Sequence, residues 1–357
     1  GIAAFLLIAY PRTERSLWVG LRYLFVSNTA MLFYLVGAVL VYRANHSFAF
    51  AGLGNAPIEA LTLILVGLLT KGGVFLSGMW LPLTYAESAT PVSALLSGIV
   101  GKAGLFPLLR YALMSDEIDT IVRIFGVGAV LLGVIYAIFE TDTKRILALS
   151  SLSQIGWILA APEVGGFYAL AHGLVKPTLF LTVGGLPSRN IKELQQQPFN
   201  TSLWIVLVVA SLSISGFPFL VGFGAKISTL DNVLPWQTIV MNVAAVGTAI
   251  VYARFIFLPH HKQAGQEVEF GFWAAVIVLI GGLIGANAFY FEAYTVANTV
   301  KALAIVAAGW LAYGLIFKRS ALRLPRVLEQ FEHLIGGMSL ILILLFWMIF
   351  TRLDLSI

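Results

Sequence analysis

Apolar runs of about 20 residues recur along almost the whole chain, separated by short polar or proline-containing segments. A helix of that length crosses the roughly 30 Å of hydrocarbon in a lipid bilayer. Backbone groups in lipid must be hydrogen-bonded internally, which favours helices over open strands. Only 11% of the residues are charged, against about 25% in soluble domains. The pattern predicts an all-α polytopic membrane protein.

We predict about eleven membrane spans, preceded by a partial helix over residues 1–10 that is too short to cross the bilayer. We interpret the partial helix as the end of a longer one, with the N-terminus truncated. Prolines such as Pro57 and Pro162 lie near the proposed ends. The predicted spans cover residues 17–42, 57–78, 91–114, 120–139, 146–161, 164–186, 202–230, 236–258, 270–291, 296–317 and 334–351.

Basic residues concentrate in alternate loops, for example around Arg15, Lys144 and Lys318. The positive-inside rule then predicts that these loops are cytoplasmic. We expect a multi-pass protein of the bacterial inner (plasma) membrane, with the thylakoid membrane as the alternative. The same loops account for the net charge of +5, so nucleic acid is not a predicted partner. The polar stretch 319–333 fits either a short interfacial helix or an ordinary loop.

Two spans carry helix-breaking residues beside a lysine. The first runs from Lys71-Gly72-Gly73 to Pro82, and the second from Gly216-Phe217-Pro218 to Lys226. Broken helices at matching places in two halves of a transporter often mark its ion site. The alternative is that Gly and Pro are simply common in membrane helices. The adjacent lysines favour the functional interpretation.

Four lysines, Lys71, Lys102, Lys176 and Lys226, fall within predicted spans. An ionised lysine at mid-bilayer costs about 2.5–3.5 kcal/mol on insertion scales. His172 lies one helical turn before Lys176, on the same helix face. Buried amines can exchange protons near neutral pH, so these residues predict a proton relay. The alternative is that carboxylates neutralise the lysines for packing alone.

No sequence feature predicts catalytic chemistry, a cofactor or a metal site. Cysteine is absent, which excludes thiolate metal sites and iron–sulfur ligation. The segment Gly98-Ile99-Val100-Gly101-Lys102 has the wrong spacing for a phosphate-binding loop, and Ala103 replaces the required Ser or Thr. Whether the chain is part of an enzyme therefore stays open.

Several motifs resemble those of the antiporter-like subunits of respiratory complex I and of Mrp-type cation/proton antiporters. They occur in the same order as in that family and cover about residues 15–260, and the ungapped Lys102-Ala103-Gly104-Leu105 looks like the version in the D subunit of the Mrp complex. The motifs are residues 71–75, Trp80-Leu81-Pro82, Tyr85, Glu87, residues 91–95 and 102–105, residues 142–156, residues 172–176, and residues 216–226.

The resemblance implies two inverted five-helix repeats, each with one broken helix. Residues 1–114 would be the C-terminal part of the first repeat, 115–260 would be the second repeat, and 261–357 would add C-terminal transmembrane helices. The resemblance also implies roles for six residues in a proton relay. Lys71 would be the switch of the first half, and its glutamate partner would lie on an earlier helix. Lys102, His172 and Lys176 would continue the path, Lys226 would serve the second half, and Glu87 belongs to the same motif set.

Three functions follow as expectations. The leading one is a proton-translocating subunit of a multi-subunit Mrp-type Na⁺(cation)/H⁺ antiporter, with other membrane subunits, H⁺ and Na⁺ as partners. The second is an antiporter-like subunit of a complex I-type NAD(P)H or ferredoxin–quinone oxidoreductase. The third is a structural membrane scaffold. A solute transporter is a further option, but no feature specifies an organic substrate.

Overall fold

The chain is described here by a computed structural model that covers residues 1–262, 269–319 and 322–354. These residues are mostly helical. The α-helices are α1 (Ile2–Ala9), α2 (Glu14–Asn45), α3 (Ile58–Gly72), α4 (Trp80–Glu87), α5 (Thr90–Leu95), α6 (Lys102–Ala112), α7 (Asp116–Phe139), α8 (Thr143–Ala160), α9 (Gly165–Gly184), α10 (Ile191–Leu194), α11 (Thr201–Ser215), α12 (Val221–Asp231), α13 (Pro235–Ile256), α14 (Phe270–Asn287), α15 (Val296–Ala312) and α16 (Phe331–Asp354).

The shorter elements lie between these helices. Strands β1 (Phe199–Asn200) and β2 (His260–His261) form a parallel pair that ties two loops together. The 3₁₀ turns are Phe50–Asn55, Phe75–Gly78, Ala288–Ala293 and Val327–Glu329, and the π-helical turns are Leu96–Val100 and Tyr313–Phe317.

Side-chain caps fix where several long helices begin. Thr13 accepts a hydrogen bond from the Ser16 backbone N–H and starts α2 with a capping box. Asp142 caps α8 through the Arg145 N–H, and Thr295 caps α15. Each cap pairs backbone donors that the first helical turn leaves free.

The membrane-protein prediction is confirmed, but the count of eleven spans is not. Within the described residues, seven helices are long and apolar enough to cross a membrane, or eight if the bent pair Ile58–Gly72 and Phe75–Glu87 forms one span. The predicted spans 146–161, 164–186 and 202–230 correspond to α8, α9 and the pair α11–α12. These helices are not among the seven, because each is too short or not apolar enough to count as a membrane span by length and hydropathy.

Both predicted helix breaks are present. The first separates α3 from α4, whose axes differ by 43° across the break. Gly73 lies there in the left-handed region, with φ +72°, and its N–H bonds back to the end of α3. The second separates α11 from α12, and Gly216 has φ +83°. Glycine suits both positions because it lacks a Cβ.

The polar stretch 319–333 is a loop rather than an interfacial helix in its described part. Residues 322–326 are irregular, a single 3₁₀ turn covers Val327–Glu329, and Phe331 already starts α16. Pro325 lies inside this stretch, and its ring and missing N–H oppose a continuous helix. Residues 320 and 321 lie outside the described residues.

Helix α8 is the centre of the fold. Every residue from Thr143 to Ala160 is buried, and α7, α9 and α4 all pack against it. A helix that is buried on all sides normally carries apolar residues throughout. This one also carries Ser150, Ser151 and Gln154, so its polar side chains need partners on the surrounding helices.

Candidate proton-transfer site

Lys71 lies in the last turn of α3, directly before the first break. Its Nζ donates a hydrogen bond to Ser27 Oγ at 2.5 Å and lies 3.5 Å from the Tyr23 hydroxyl, both on α2. The nitrogen is also 5.5 Å from the centre of the Tyr23 ring, within the range of a cation–π interaction. The partly buried amine is therefore surrounded by hydroxyl and aromatic groups.

Lys102 and His172 form the shortest contact between ionisable side chains in the lysine network. Lys102 begins α6, one residue after the end of the π-helical turn Leu96–Val100, and the Ser97 carbonyl accepts a hydrogen bond from its Nζ. The same Nζ is 2.7 Å from His172 Nδ1 on α9. Only 6% of Lys102 and 3% of His172 is exposed. An ammonium donates and a neutral imidazole nitrogen accepts, so this geometry permits proton transfer.

Lys176 is fully enclosed one helical turn after His172. Its Nζ donates to the Leu147 carbonyl at 2.8 Å and to the Tyr252 hydroxyl at 3.0 Å. The Tyr252 hydroxyl is in turn 2.8 Å from Ser150 Oγ. Hydroxyl groups both donate and accept, so they can carry a proton onward from the amine.

One face of α8 joins these contacts. Ser151 Oγ is 3.0 Å from Ser97 Oγ, beside Lys102. The Tyr168 hydroxyl lies 2.5 Å from Gln154 Oε1. Tyr168, His172 and Lys176 are spaced four residues apart on α9 and therefore share one helix face. That face meets the polar residues of α8, so the two helices form a buried polar track.

Lys226 lies on α12, after the second break, and is 5% exposed. Its Nζ is 5.0 Å from the centre of the Trp157 ring, and Trp157 stacks on Tyr168 with 5.9 Å between ring centres. Within the described residues Nζ has no hydrogen-bond partner. In the described part of the chain, the aromatic ring of Trp157 connects Lys226 to the α8 track.

Further unpaired polar atoms lie along the same track. In the described part of the chain, His172 Nε2, Gln154 Nε2 and Trp157 Nε1 are buried without a hydrogen-bond partner. Buried polar atoms are ordinarily paired with protein groups or water. These atoms lie on α8 and α9, the helices that also contact Lys102 and Lys226, and their free hydrogen-bonding capacity is what a bridging water would use.

Glu87 lies apart from the four lysines of the network, beside the loop where Lys144 binds the Ser88 carbonyl. It ends α4, its carboxylate is 3.2 Å from Arg15 Nε and 4.0 Å from Arg189 Nη2, and its side chain is 24% exposed. Its partners are thus surface arginines. The structure brings Lys102 together with His172. It also places Lys176 on α9 against α8, whereas Glu87 contacts none of these residues by a hydrogen bond or ion pair in the described part of the chain.

Sequence reasoning missed most of the groups that bind the lysines. Tyr23, Ser27 and Tyr252 lie in long helices that carry other polar residues as well, and the sequence does not show which of these residues face a lysine. The serines of α8 gave a signal, since four polar residues, Ser150, Ser151, Ser153 and Gln154, fall in one predicted span.

Comparison with known proteins decides the family. Residues 1–251 match the family model described as "NADH:quinone oxidoreductase/Mrp antiporter, TM". The chain belongs to this family. The match includes the helices that carry all four lysines.

Two curated relatives represent the two kinds of complex in that description. A "NADH-quinone oxidoreductase subunit N" of Desulforudis audaxviator is 29% identical over 307 residues, covering 75% of this chain and 60% of the relative. The A/B subunit of a probable K⁺/H⁺ antiporter of Rhizobium meliloti is 29% identical over 332 residues, covering 78% of this chain and 33% of the relative. The chain therefore spans 60% or less of the length of these two relatives.

A solved structure shares the fold. It is a chain from the membrane-bound sulfane sulfur reductase, an archaeal respiratory membrane complex, with a TM-score of 0.71 and 21% sequence identity. The likeness covers 88% of this chain and 71% of the other. It supports the all-helical membrane fold.

Proposed function

We propose that this chain is a proton-translocating subunit of a multi-subunit Mrp-type cation/proton antiporter, and that its buried lysines relay the protons. The observation that carries the proposal is the 2.7 Å contact between Lys102 Nζ and His172 Nδ1. Two ionisable groups this close, and this well shielded, have little structural purpose, because burying them is costly. Proton transfer between the two groups would explain why they are buried side by side.

The relay would use the lysines in the order of their contacts. Lys71 would exchange a proton with the hydroxyls of α2 and pass it toward Lys102. Lys102 would exchange it with His172, and the α8 track would lead to Lys176 and Lys226. No direct hydrogen bond joins Lys71 to Lys102 in the described residues, so this step needs water or side-chain movement. A relay role for Glu87 stays a prediction. Its carboxylate contacts exposed arginines rather than one of the four lysines.

The partners would be other membrane subunits of the complex, with H⁺ and a cation such as Na⁺ as transported ions. We place the complex in the bacterial inner membrane, with the basic loops in the cytoplasm. Moving one charge across 100 mV involves about 2.3 kcal/mol. A cation gradient of ordinary size could therefore drive proton movement through such a relay.

A second candidate is an antiporter-like subunit of a complex I-type oxidoreductase. The observation that favours it is the greater coverage of the oxidoreductase relative, 60% against 33% for the antiporter relative. Purification of the complex with its natural subunits separates the two. A redox arm with iron–sulfur clusters would identify the oxidoreductase, and its absence from an active cation/proton exchanger would identify the antiporter.

The test of the relay is proton flux through the whole complex in proteoliposomes with an internal pH dye. Lys102→Ala should lower the flux by about tenfold or more, equivalent to about 1.4 kcal/mol in the barrier. Lys192→Ala, which removes an exposed lysine in α10, is the matched control and should leave the flux unchanged. Normal flux in an assembled Lys102→Ala complex would support the scaffold function and refute the relay.

A further inference from the structure

A buried ion cluster lies outside the lysine network, beside the turn between α7 and α8. It consists of Arg22 on α2, Glu140 and Arg145 around the start of α8, and Arg326 and Glu329 in the loop before α16. Arg22, Arg145 and Glu329 are 6%, 3% and 7% exposed. Burial of charges in a connecting loop is costly, and such groups are normally paired.

Glu329 is the member that joins two helices. Its carboxylate forms an ion pair with Arg145, and its backbone carbonyl accepts a hydrogen bond from Arg22 Nη2. Arg145 is also 3.2 Å from Glu140, which binds Arg326 at 2.9 Å. Burial raises the pKa of the Glu329 carboxyl above its ordinary value, although Arg145 acts in the opposite direction.

The two helices joined by Glu329 both contact the lysine network. Arg22 directly precedes Tyr23, and Tyr23 and Ser27 on α2 contact Lys71. Arg145 lies in the first turn of α8, whose polar face joins the contacts of the other lysines. The distance between the Lys71 site and the α8 track therefore depends on how α2 is fixed relative to α8.

We propose that Glu329 is a positioning residue: a buried pin that holds α2 and α8 in the register in which Lys71 and the α8 track exchange protons. The inference rests on the proposed relay function. Glu329 and Glu140 are the cluster's carboxylates, against three arginines. Without the Glu329 charge, Arg145 would lose this ion pair, and the negative charge that offsets the repulsion between Arg22 and Arg145 would be absent. The hydrogen bond from Arg22 to the backbone carbonyl of residue 329 would remain.

The helix that follows the pin strengthens the argument. α16 passes the first break so closely that a Cβ on Gly337 would lie 3.5 Å from the Leu76 carbonyl. Leu76 belongs to the 3₁₀ turn Phe75–Gly78 between α3 and α4. The segment that carries Glu329 therefore contacts α2, α8 and the hinge beside Lys71.

The pin can be tested by distance measurement and flux on the full protein in its complex. The 357 residues contain no cysteine. Once any cysteines elsewhere in the complex are replaced, spin labels can be placed at Leu17→Cys on α2 and at Ile135→Cys on α7, which packs against α8. Both positions are exposed, at 42% and 46%. In this background Glu329→Gln should broaden or shift the distance distribution and lower the proton flux severalfold.

Two further variants separate positioning from general damage. Glu329→Asp keeps the charge and should restore both the distance distribution and much of the flux. Glu332→Gln removes an equal charge from an exposed site three residues away and should change neither.

A Glu329→Gln complex with unchanged distances overturns the pin, whether its flux is normal or lost. If the wild-type complex carries no proton flux, the proposed function fails, and the distance measurement alone decides the pin.

Discussion

The two helix breaks use one backbone device. Each has a glycine in the left-handed region, Gly73 with φ +72° and Gly216 with φ +83°, followed shortly by a phenylalanine with positive φ. Those phenylalanines are Phe75, with φ +53°, and Phe219, with φ +71°. A non-glycine residue in this region is strained. Both breaks therefore combine a glycine and a strained phenylalanine.

The lysines at the two breaks differ. Lys71 precedes its break, is partly buried and contacts the hydroxyls of Ser27 and Tyr23. Lys226 follows its break, is buried and contacts the Trp157 ring. The comparison teaches that the same backbone interruption serves two chemical environments: polar groups solvate the first amine, whereas the second meets an aromatic face.

The sharpest test of this difference replaces each lysine with methionine. Lys226→Met should stabilise the folded protein, because it removes a buried amine that has no hydrogen-bond partner among the described residues, and the gain is bounded by about 2.5–3.5 kcal/mol. Lys71→Met should instead cost about 1 kcal/mol, because Ser27 loses its partner. Thermal unfolding in detergent measures both, and proton flux should fall in both. Equal stability changes would remove the distinction between the two breaks.

Two glycines behind the breaks allow a second comparison. A Cβ on Gly222 would lie 1.8 Å from the Ser213 carbonyl oxygen, and one on Gly78 would lie 2.3 Å from that of Gly73. Alanine at either position must push the two halves of the broken helix apart, at about 1–3 kcal/mol. We expect the larger loss of thermal stability for Gly222→Ala.

The matched control for these variants is Gly281→Ala in α14, where a Cβ would have no neighbour within 4 Å. It should not destabilise the protein, since alanine is the better helix former. If Gly222→Ala is as stable as this control, the second break does not depend on close approach of its two halves.

The smallest expected effect concerns the hydroxyl that distinguishes the first break. Ser27→Ala removes the 2.5 Å partner of Lys71, and a hydrogen bond of this kind is worth about 0.5–1.5 kcal/mol. We expect a severalfold loss of proton flux, with recovery in Ser27→Thr. Ser339→Ala, which removes an exposed hydroxyl from α16, serves as the control. A Ser27→Ala variant with full flux would show that Lys71 works without this partner.

The sequence was sufficient for features that depend on local chemistry. Apolar run length predicted the membrane class, and Gly73 and Gly216 predicted the breaks because no other residue adopts their conformation so easily. Lysines 71, 102, 176 and 226 were recognisable because charge in an apolar run is costly.

Features that depend on distant residues were not predictable in this way. Tyr252 binds Lys176 across 76 residues, and Glu329 binds Arg145 across 184. Neither residue stands out in its own segment, since their importance comes from tertiary packing. The relay role that the motif implies for Glu87 stays a prediction, and its side chain contacts exposed arginines.

The central claim is that Lys102 and His172 act as one proton-transfer unit. A double-mutant cycle on proton flux tests it most directly, with Lys102→Arg and His172→Gln chosen so that some flux remains. If the residues exchange a proton, the double variant should lose little more flux than the worse single variant. If the two losses multiply as for independent sites, the 2.7 Å contact is not a transfer step, and the relay as described is wrong.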